Sequence, residues 1–365
     1  MSDELIALAA GGTGGHMFPA EALAEELKRR GKRVLLVTDA RGARYAENFP
    51  ADERFEISAA TPSIGGPVAK AAAAVSIAGG LITAMREFRR RRPAMAVGFG
   101  GYPSLPAMKA AELMKIPYGV HEQNAVLGRA NRLLVRGARF AAHAFPSLSK
   151  SPASAHLVEV GNPVRDAVSA LAGAPFPDTE AGLRLLVFGG SQGASLFAKA
   201  PVAAVARLPE DIRAQLTIVH QAREADREAV QMGYAKAGVA VEVAPFFKDL
   251  PQRIAQAHLV IARAGASTVT ELSVIGRPAI LAPLAIAMDD HQTGNAQVLS
   301  NAGGAILLPE TKFTEDALEL ALTTLFSNPE RLGSMAQSAQ GAVKTGASAA
   351  LADLVEETLE RRAAA

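Results

Sequence analysis

The chain has 365 residues, 49% of them hydrophobic and 20% charged, with a formal net charge of +2 and no cysteine. That length exceeds what one hydrophobic core usually supports, so two domains are expected. The small charge excludes a nucleic-acid coat, and the missing cysteine excludes disulfides, thiolate metal sites and a catalytic thiol.

The opening "MSDELIALAA" carries two acids where a signal peptide needs a basic region. Within it "LIALAA" (5–10) reads as a buried strand that runs into "GGTGGH". "PAEALAEELKRRG" then reads as a helix, with Pro19 at its start and Gly31 just past its end. "RVLLVTD" (33–39), "AMAVGFG" (94–100) and "IPYGVHE" (116–122) supply three further strands. Continuous apolar strands separated by helices indicate a parallel sheet covered on both faces.

Between them, residues 68–92 read as a helix with Ile77, Leu81, Met85 and Phe88 on one narrow face, flanked by Lys70 and by the run Arg89-Arg90-Arg91-Arg92. The uncharged stretch Ala71 to Met85 has 15 residues with Gly79-Gly80 inside it. It is shorter than the roughly 18 apolar residues a spanning helix needs. Two readings stay open: a core-packing helix with a solvated basic end, or a helix that lies on an anionic membrane and inserts that face.

Around Gly161-Asn162-Pro163 the pattern restarts. "LRLLVFGG" (183–190) is again a strand entering glycines, followed by "LTIVHQ", "VEVAPF", "LVIARAG" and "PAILAPL". The expected domains are 1–163 and 164–344, facing a ligand cleft at the strand carboxyl ends. An amphipathic helix at about 345–363 would be free to pack back on the first.

Three glycine loops follow strands: Gly11-Gly12-Thr13-Gly14-Gly15, Gly98-Phe99-Gly100-Gly101-Tyr102 and Gly189-Gly190-Ser191-Gln192-Gly193. Each alone is compatible with a tight turn; three together favour phosphate held on unpaired N–H groups at helix starts. A dinucleotide fingerprint aligned on Gly12 and Gly14 fails at Met17, although Asp39 stands where a ribose-binding acid would. In "RAGASTVTEL" (263–272), Ser267 and Thr268 fall in a first helical turn with Glu271 one turn on. Glu271 would there accept a ribose's hydroxyls while Thr268 holds the adjoining phosphate. The competing reading is a capping box with Ser267 as N-cap.

"GGTGGHMFPA", "GFGGYPS", "HEQNAVLGRANRLL", "GNPVR", "GGSQGA", "RAGASTVTEL" and "DDHQTGNA" occur in that order over positions 11–296. Together they resemble the MurG family, peripheral membrane glycosyltransferases of peptidoglycan synthesis, and so of cell shape and division. Its members move N-acetylglucosamine from UDP-GlcNAc onto the 4-hydroxyl of undecaprenyl-pyrophosphoryl-MurNAc-pentapeptide (lipid I), giving lipid II. The resemblance implies a GT-B fold of two Rossmann-like α/β domains, work at the cytoplasmic face of the membrane, and contact with other cell-wall synthesis proteins. It also implies that Arg165, Ser191, Gln192, Phe247, Ala266, Thr268, Glu271, Gln292 and Asn295 lie around the donor. Thr13, Gly14, Gly15, Gly100, Gly101, Tyr102 and Asn124 would lie around the acceptor and its phosphates. Some members carry two glutamines where this chain has His291-Gln292.

The expected reaction inverts the anomeric carbon and needs a base near neutral pKa. His16, at the tip of the first loop, is the first candidate, its alternative being a cap or a phosphate contact; His121 and Glu122 are the second, their alternative being a hydrogen-bonding frame for the loop. Helix N-termini would stabilise departing UDP without a metal or other cofactor, and Asp289-Asp290 reads as a solvated pair. A lipid-linked acceptor favours the membrane reading of Ile77, Leu81, Met85, Phe88 and Arg89. The competing functions are another GT-B glycosyltransferase, a UDP-GlcNAc 2-epimerase, and a non-catalytic nucleotide-sugar binder.

Overall fold

A computed structural model of the chain describes residues 4–59, 66–190 and 195–364. It comprises two units, Met1–Arg165 with Lys344–Ala365, and Asp166–Val343.

The first unit is built on strands β1 (Leu5–Ala9), β2 (Arg33–Thr38), β3 (Glu53–Glu56), β4 (Met95–Gly98), β5 (Tyr118–Glu122), β6 (Ala141–His143) and β7 (Leu157–Glu159). They pair in parallel in the order β3-β2-β1-β4-β5-β6-β7. β1 is buried on both faces because its side chains alternate between two cores. Ile6 and Leu8 join Met17, Leu23 and Leu27, whereas Leu5, Ala7 and Ala9 join Ala84, Phe88 and Met108. Strands β3, β6 and β7 escaped the sequence reading because they are three or four residues long, and β3 has a single apolar residue, Phe55, among three charged ones.

Helices α1 (Gly14–Arg29), α2 (Pro67–Arg91), α3 (Gly101–Leu113) and the short α4 (Arg129–Leu134) lie between these strands. α1 begins five residues before the expected Pro19, which is interior. Proline lacks the N–H that would bond the Gly15 carbonyl, so the helix tolerates it at the cost of one bond. The C-terminal helix Ala347–Ala363 packs on α1, where Leu351, Val355 and Leu359 enter the Met17 core. Arg30, the C-cap residue of α1, donates to Asp353 and Glu356 at 2.7 Å each.

α2 corrects the membrane expectation. It is continuous through Gly79-Gly80, and Val68–Arg91 is long and apolar enough to cross a membrane by length and composition. A side chain at Gly80 would collide with the Ser58 carbonyl and crowd Pro106 of α3, so glycine there permits close packing. Phe88 is fully buried and meets Phe55 edge-on, while Ile77, Leu81 and Met85 pack on the same core. The face expected to enter lipid is therefore the core face, where burying Phe88 contributes about 1.5–3 kcal/mol. The opposite face carries Val68, Val75 and Ile82, exposed by 85%, 73% and 69%, at seven-residue spacing. It continues into exposed Arg86 and Arg89.

The second unit has strands β8 (Leu183–Phe188), β9 (Leu216–Gln221), β10 (Ala240–Ala244), β11 (Leu259–Ala262), β12 (Ala279–Leu281) and β13 (Ala305–Leu307). They are parallel in the order β10-β9-β8-β11-β12-β13. In both sheets the order reverses beside the first strand, at β1/β4 and at β8/β11. Ligands of such sheets bind outside the strand carboxyl ends at these points.

Candidate functional site

In the first unit the carboxyl ends of β1, β4 and β5 are neighbours, so the first two glycine loops and "HEQN" share one edge of the sheet. Asp39, at the end of β2 and 5% exposed, shapes the first loop rather than standing free as a ribose acid. Its Oδ1 accepts from the backbone N–H groups of Gly12 and Gly42, both at 2.9 Å, and its Oδ2 accepts from Arg41. Thr13 is the N-cap of α1 in extended geometry, and its carbonyl, not its hydroxyl, accepts from His16 N–H. Gly14 and Gly15 open the helix, leaving first-turn N–H groups without helical partners.

The second loop wraps His16. Gly100 and Gly101 have φ of 79° and 69°, a region that glycine alone enters freely. A Cβ on Gly101 would stand 3.2 Å from His16 Nε2. Ser104, fully buried, donates to the Gly100 and Gly101 carbonyls at 2.8 and 2.9 Å and holds the loop at the start of α3. Half-buried Tyr102 lies in the first turn of α3. Two helix N-termini, those of α1 and α3, thus open at this edge with no acid in either first turn.

Glu122 and His121, both buried, end β5. Glu122 accepts four hydrogen bonds: Asn124 N–H and side-chain amide on Oε1 at 3.1 and 3.0 Å, and Gly128 N–H and the Asn131 amide on Oε2 at 2.9 and 2.8 Å. The carboxylate is thereby the frame of the loop, and it brings Asn124 to the edge. His16 Nδ1 lies 3.0 Å from Gln123 Oε1. Gln123, 1% exposed, escaped the sequence reading; its position between two motif residues was the available signal. Arg165, expected beside the nucleotide, stacks its guanidinium 4.2 Å over the Phe18 ring of α1.

The second unit presents a different edge. Ser191 and Gln192 lie outside the described residues. The preceding Gly189 donates its N–H to Gln221 Oε1 at 3.2 Å, and Gln221 Nε2 donates to the Pro245 carbonyl at 3.1 Å. Gln221, at the end of β9, therefore ties the third glycine loop to the segment leading to Phe247, a tie with no sequence signal beyond a polar residue closing a strand. Phe247 is buried under the Arg253 guanidinium at 4.2 Å.

Gly265, not Ser267, is the N-cap of the Ala266–Ile275 helix, so the capping box is not formed. Ala266 is buried at the first helical position, half-buried Thr268 is in the first turn, and Glu271 follows, 9% exposed. Asn295, fully buried, donates to the Ala264 carbonyl at 3.1 Å and so braces the loop before this helix. Gln292 Oε1 accepts from Leu284 N–H at 2.9 Å. Asp289 and Asp290 both have left-handed backbone, and Asp290 accepts from Thr293 Oγ1 at 2.7 Å. At the far end of the helix, Arg277 is 1% exposed and donates to the carbonyls of Ala174, Pro175 and Ala255. Burial among carbonyls pushes its pKa down to about 10.

Two parallel-sheet units, each with glycine loops at the carboxyl edge, define a GT-B glycosyltransferase architecture. The glycosyltransferase family 28 N-terminal domain matches residues 6–143 and the C-terminal domain of the same family matches residues 184–354. Over 364 residues the chain is 51% identical to a protein of Methylobacterium nodulans, covering 98% of each chain. It is 51% identical over 359 residues to one of Caulobacter vibrioides, covering 97% of this chain and 99% of that one. Both carry the name UDP-N-acetylglucosamine--N-acetylmuramyl-(pentapeptide) pyrophosphoryl-undecaprenol N-acetylglucosamine transferase. The fold is similar to a crystal structure of Acinetobacter baumannii MurG, with a TM-score of 0.80 and 32% identity over 97% of this chain and 99% of that one. A UDP-GlcNAc 2-epimerase from Neisseria meningitidis, at 14% identity and a TM-score of 0.66 over 97% of this chain and all of that one, shares the fold alone. The chain belongs to the MurG family of glycosyltransferase family 28.

Proposed function

We propose that this protein is the hexosyltransferase that moves N-acetylglucosamine from UDP-GlcNAc to the 4-hydroxyl of lipid I. One observation carries the reading: a half-buried imidazole, His16, is fixed by Gln123 beside two glycine-bounded helix starts. Full-length relatives named for this transfer support the choice of substrates.

In the reaction His16 takes the proton of the acceptor hydroxyl. The oxygen forms its bond to the anomeric carbon, and the bond from that carbon to the UDP phosphate breaks, its electron pair leaving with UDP. The N–H groups at Gly14 and Gly15 and at Gly100 to Tyr102 hold the acceptor pyrophosphate by charge-assisted hydrogen bonds. Glu122 frames the loop that presents Asn124. In the second unit, Thr268 and the helix N-terminus below it receive the donor phosphates, Glu271 the ribose, and Gln292 and Asn295 the sugar. Neutralisation of departing UDP by these dipoles requires no metal ion.

The acceptor's lipid tail stays in a bilayer, and the enzyme meets it as a peripheral protein on the cytoplasmic face. The surface that lies on anionic lipid is the outer face of α2, with Val68, Val75 and Ile82 continuing into Arg86 and Arg89. Core packing of the other face keeps α2 from leaving the unit to span the membrane.

Mass spectrometry after incubation with UDP-GlcNAc, a short-chain lipid I analogue and EDTA tests the reading. A product heavier by one N-acetylhexosamine is expected. Binding of UDP-GlcNAc without transfer would favour an epimerase or a binding protein.

A further inference from the structure

The hydrogen bonds behind His16 form a chain that runs into the interior of the first unit. His16 Nδ1 lies 3.0 Å from Gln123 Oε1. Gln123 Nε2 lies 3.0 Å from His121 Nδ1 and 3.2 Å from the His121 carbonyl oxygen. His121 Nε2 lies 2.9 Å from the Gly161 carbonyl oxygen. His121 and Gln123 are 0% and 1% exposed, so solvent does not compete for the bonds that His121 makes.

The protons follow from the fixed end of this chain. A carbonyl oxygen only accepts, so His121 carries its proton on Nε2. Burial pushes the His121 pKa down to about 4, which leaves a neutral ring with Nδ1 as an acceptor. Gln123 must therefore turn its NH2 toward His121, and the same NH2 meets the His121 carbonyl, a second acceptor. The amide oxygen is what remains to face His16, and it too only accepts. His16 then carries its proton on Nδ1 and its lone pair on Nε2, the nitrogen beside Gly101.

We infer that Gln123, oriented by His121 and the Gly161 carbonyl, is a positioning residue that holds His16 in the Nδ1–H tautomer and so makes Nε2 the basic nitrogen. The catalytic consequence rests on the proposed reading of His16 as base; the tautomer does not. When Nε2 takes the hydroxyl proton, the Nδ1–H bond to Gln123 is unchanged, so the ring need not turn between its two charge states.

Nitrogen-15 NMR of the full-length protein with labelled histidine, at mildly alkaline pH, reads the tautomer directly. The His16 signal is identified by its loss in His16→Ala. Wild type is expected to show protonated Nδ1 and bare Nε2. Gln123→Met should shift the population toward Nε2–H and lower kcat by at least about tenfold, with KM for UDP-GlcNAc unchanged. A far-UV circular dichroism spectrum of Gln123→Met that matches wild type guards against a folding defect in that variant. An Nε2–H His16 in wild type, or an unaltered tautomer in Gln123→Met, overturns the inference. An Nδ1–H His16 whose replacement by alanine leaves turnover intact removes the base reading while the tautomer assignment stands.

Discussion

The ligand edges of the two units are built by different means. In the first, side chains at the ends of two strands grip the loops: Asp39 after β2 holds Gly12, and at the end of β5 Glu122 holds Gly128 and Gln123 holds His16. In the second, the Ala266–Ile275 helix begins at Gly265, an N-cap without a side chain, and Gln221 and Asn295 brace backbone around it. The first edge can fix the position of a proton. The second offers N–H groups and a helix dipole, which suit an anion that changes charge without exchanging protons. In the proposed reaction this matches a base on one unit and a leaving group on the other.

The largest test of that contrast is His16→Ala. It should lower kcat about 10²–10⁴-fold with little change in KM for UDP-GlcNAc, whereas Thr268→Ala should raise that KM. Steady-state kinetics of both variants read this, and a reversed pattern would break the comparison. Next, Glu122→Ala strands four donors and should cost about 1–3 kcal/mol for each one left buried without a partner. Urea denaturation measures the loss, and an unchanged midpoint would mean that the first edge is not side-chain built.

On α2 the comparison turns to two faces of one helix. Ile82→Asp should weaken binding to anionic vesicles about tenfold without altering the urea midpoint, since one exposed apolar side chain is replaced. Met85→Asp should do the opposite, because Met85 packs on the core. Sedimentation with vesicles and denaturation of both variants separate the two faces.

A further effect is one the units share. Each buries a histidine, His121 in the first and His220 in the second, and burial pushes both pKa values down to about 4. The unfolded chain binds these protons near 6.5, so stability from the neutral rings is full above that pH. It is lost progressively as pH falls toward about 4. Denaturation midpoints across this range should decline, with a flatter slope in His220→Gln; an unaltered slope would remove His220 from the account.

Much of this was legible in the sequence. Continuous apolar strands ending in glycines specify buried parallel strands and close turns, because no other local structure satisfies both patterns. The motifs likewise marked loops that the structure places at the carboxyl ends of the strands. Three features required the folded chain. Short strands such as β3, β6 and β13 are stabilised by neighbours distant in sequence, and three or four residues hold too little pattern to show it. The apolar stripe of α2 could be assigned to lipid or to core, since both reward burial equally. Only the approach of Phe55, Ser58 and Pro106 settles which face is inside. Finally, Asp39, Glu122 and Gln123 are polar residues whose partners lie up to 107 positions away. The sequence by itself determined the class of fold and the residues at its edges. The tertiary structure decided which atoms they hold, because a hydrogen bond depends on distance and direction that no local pattern encodes.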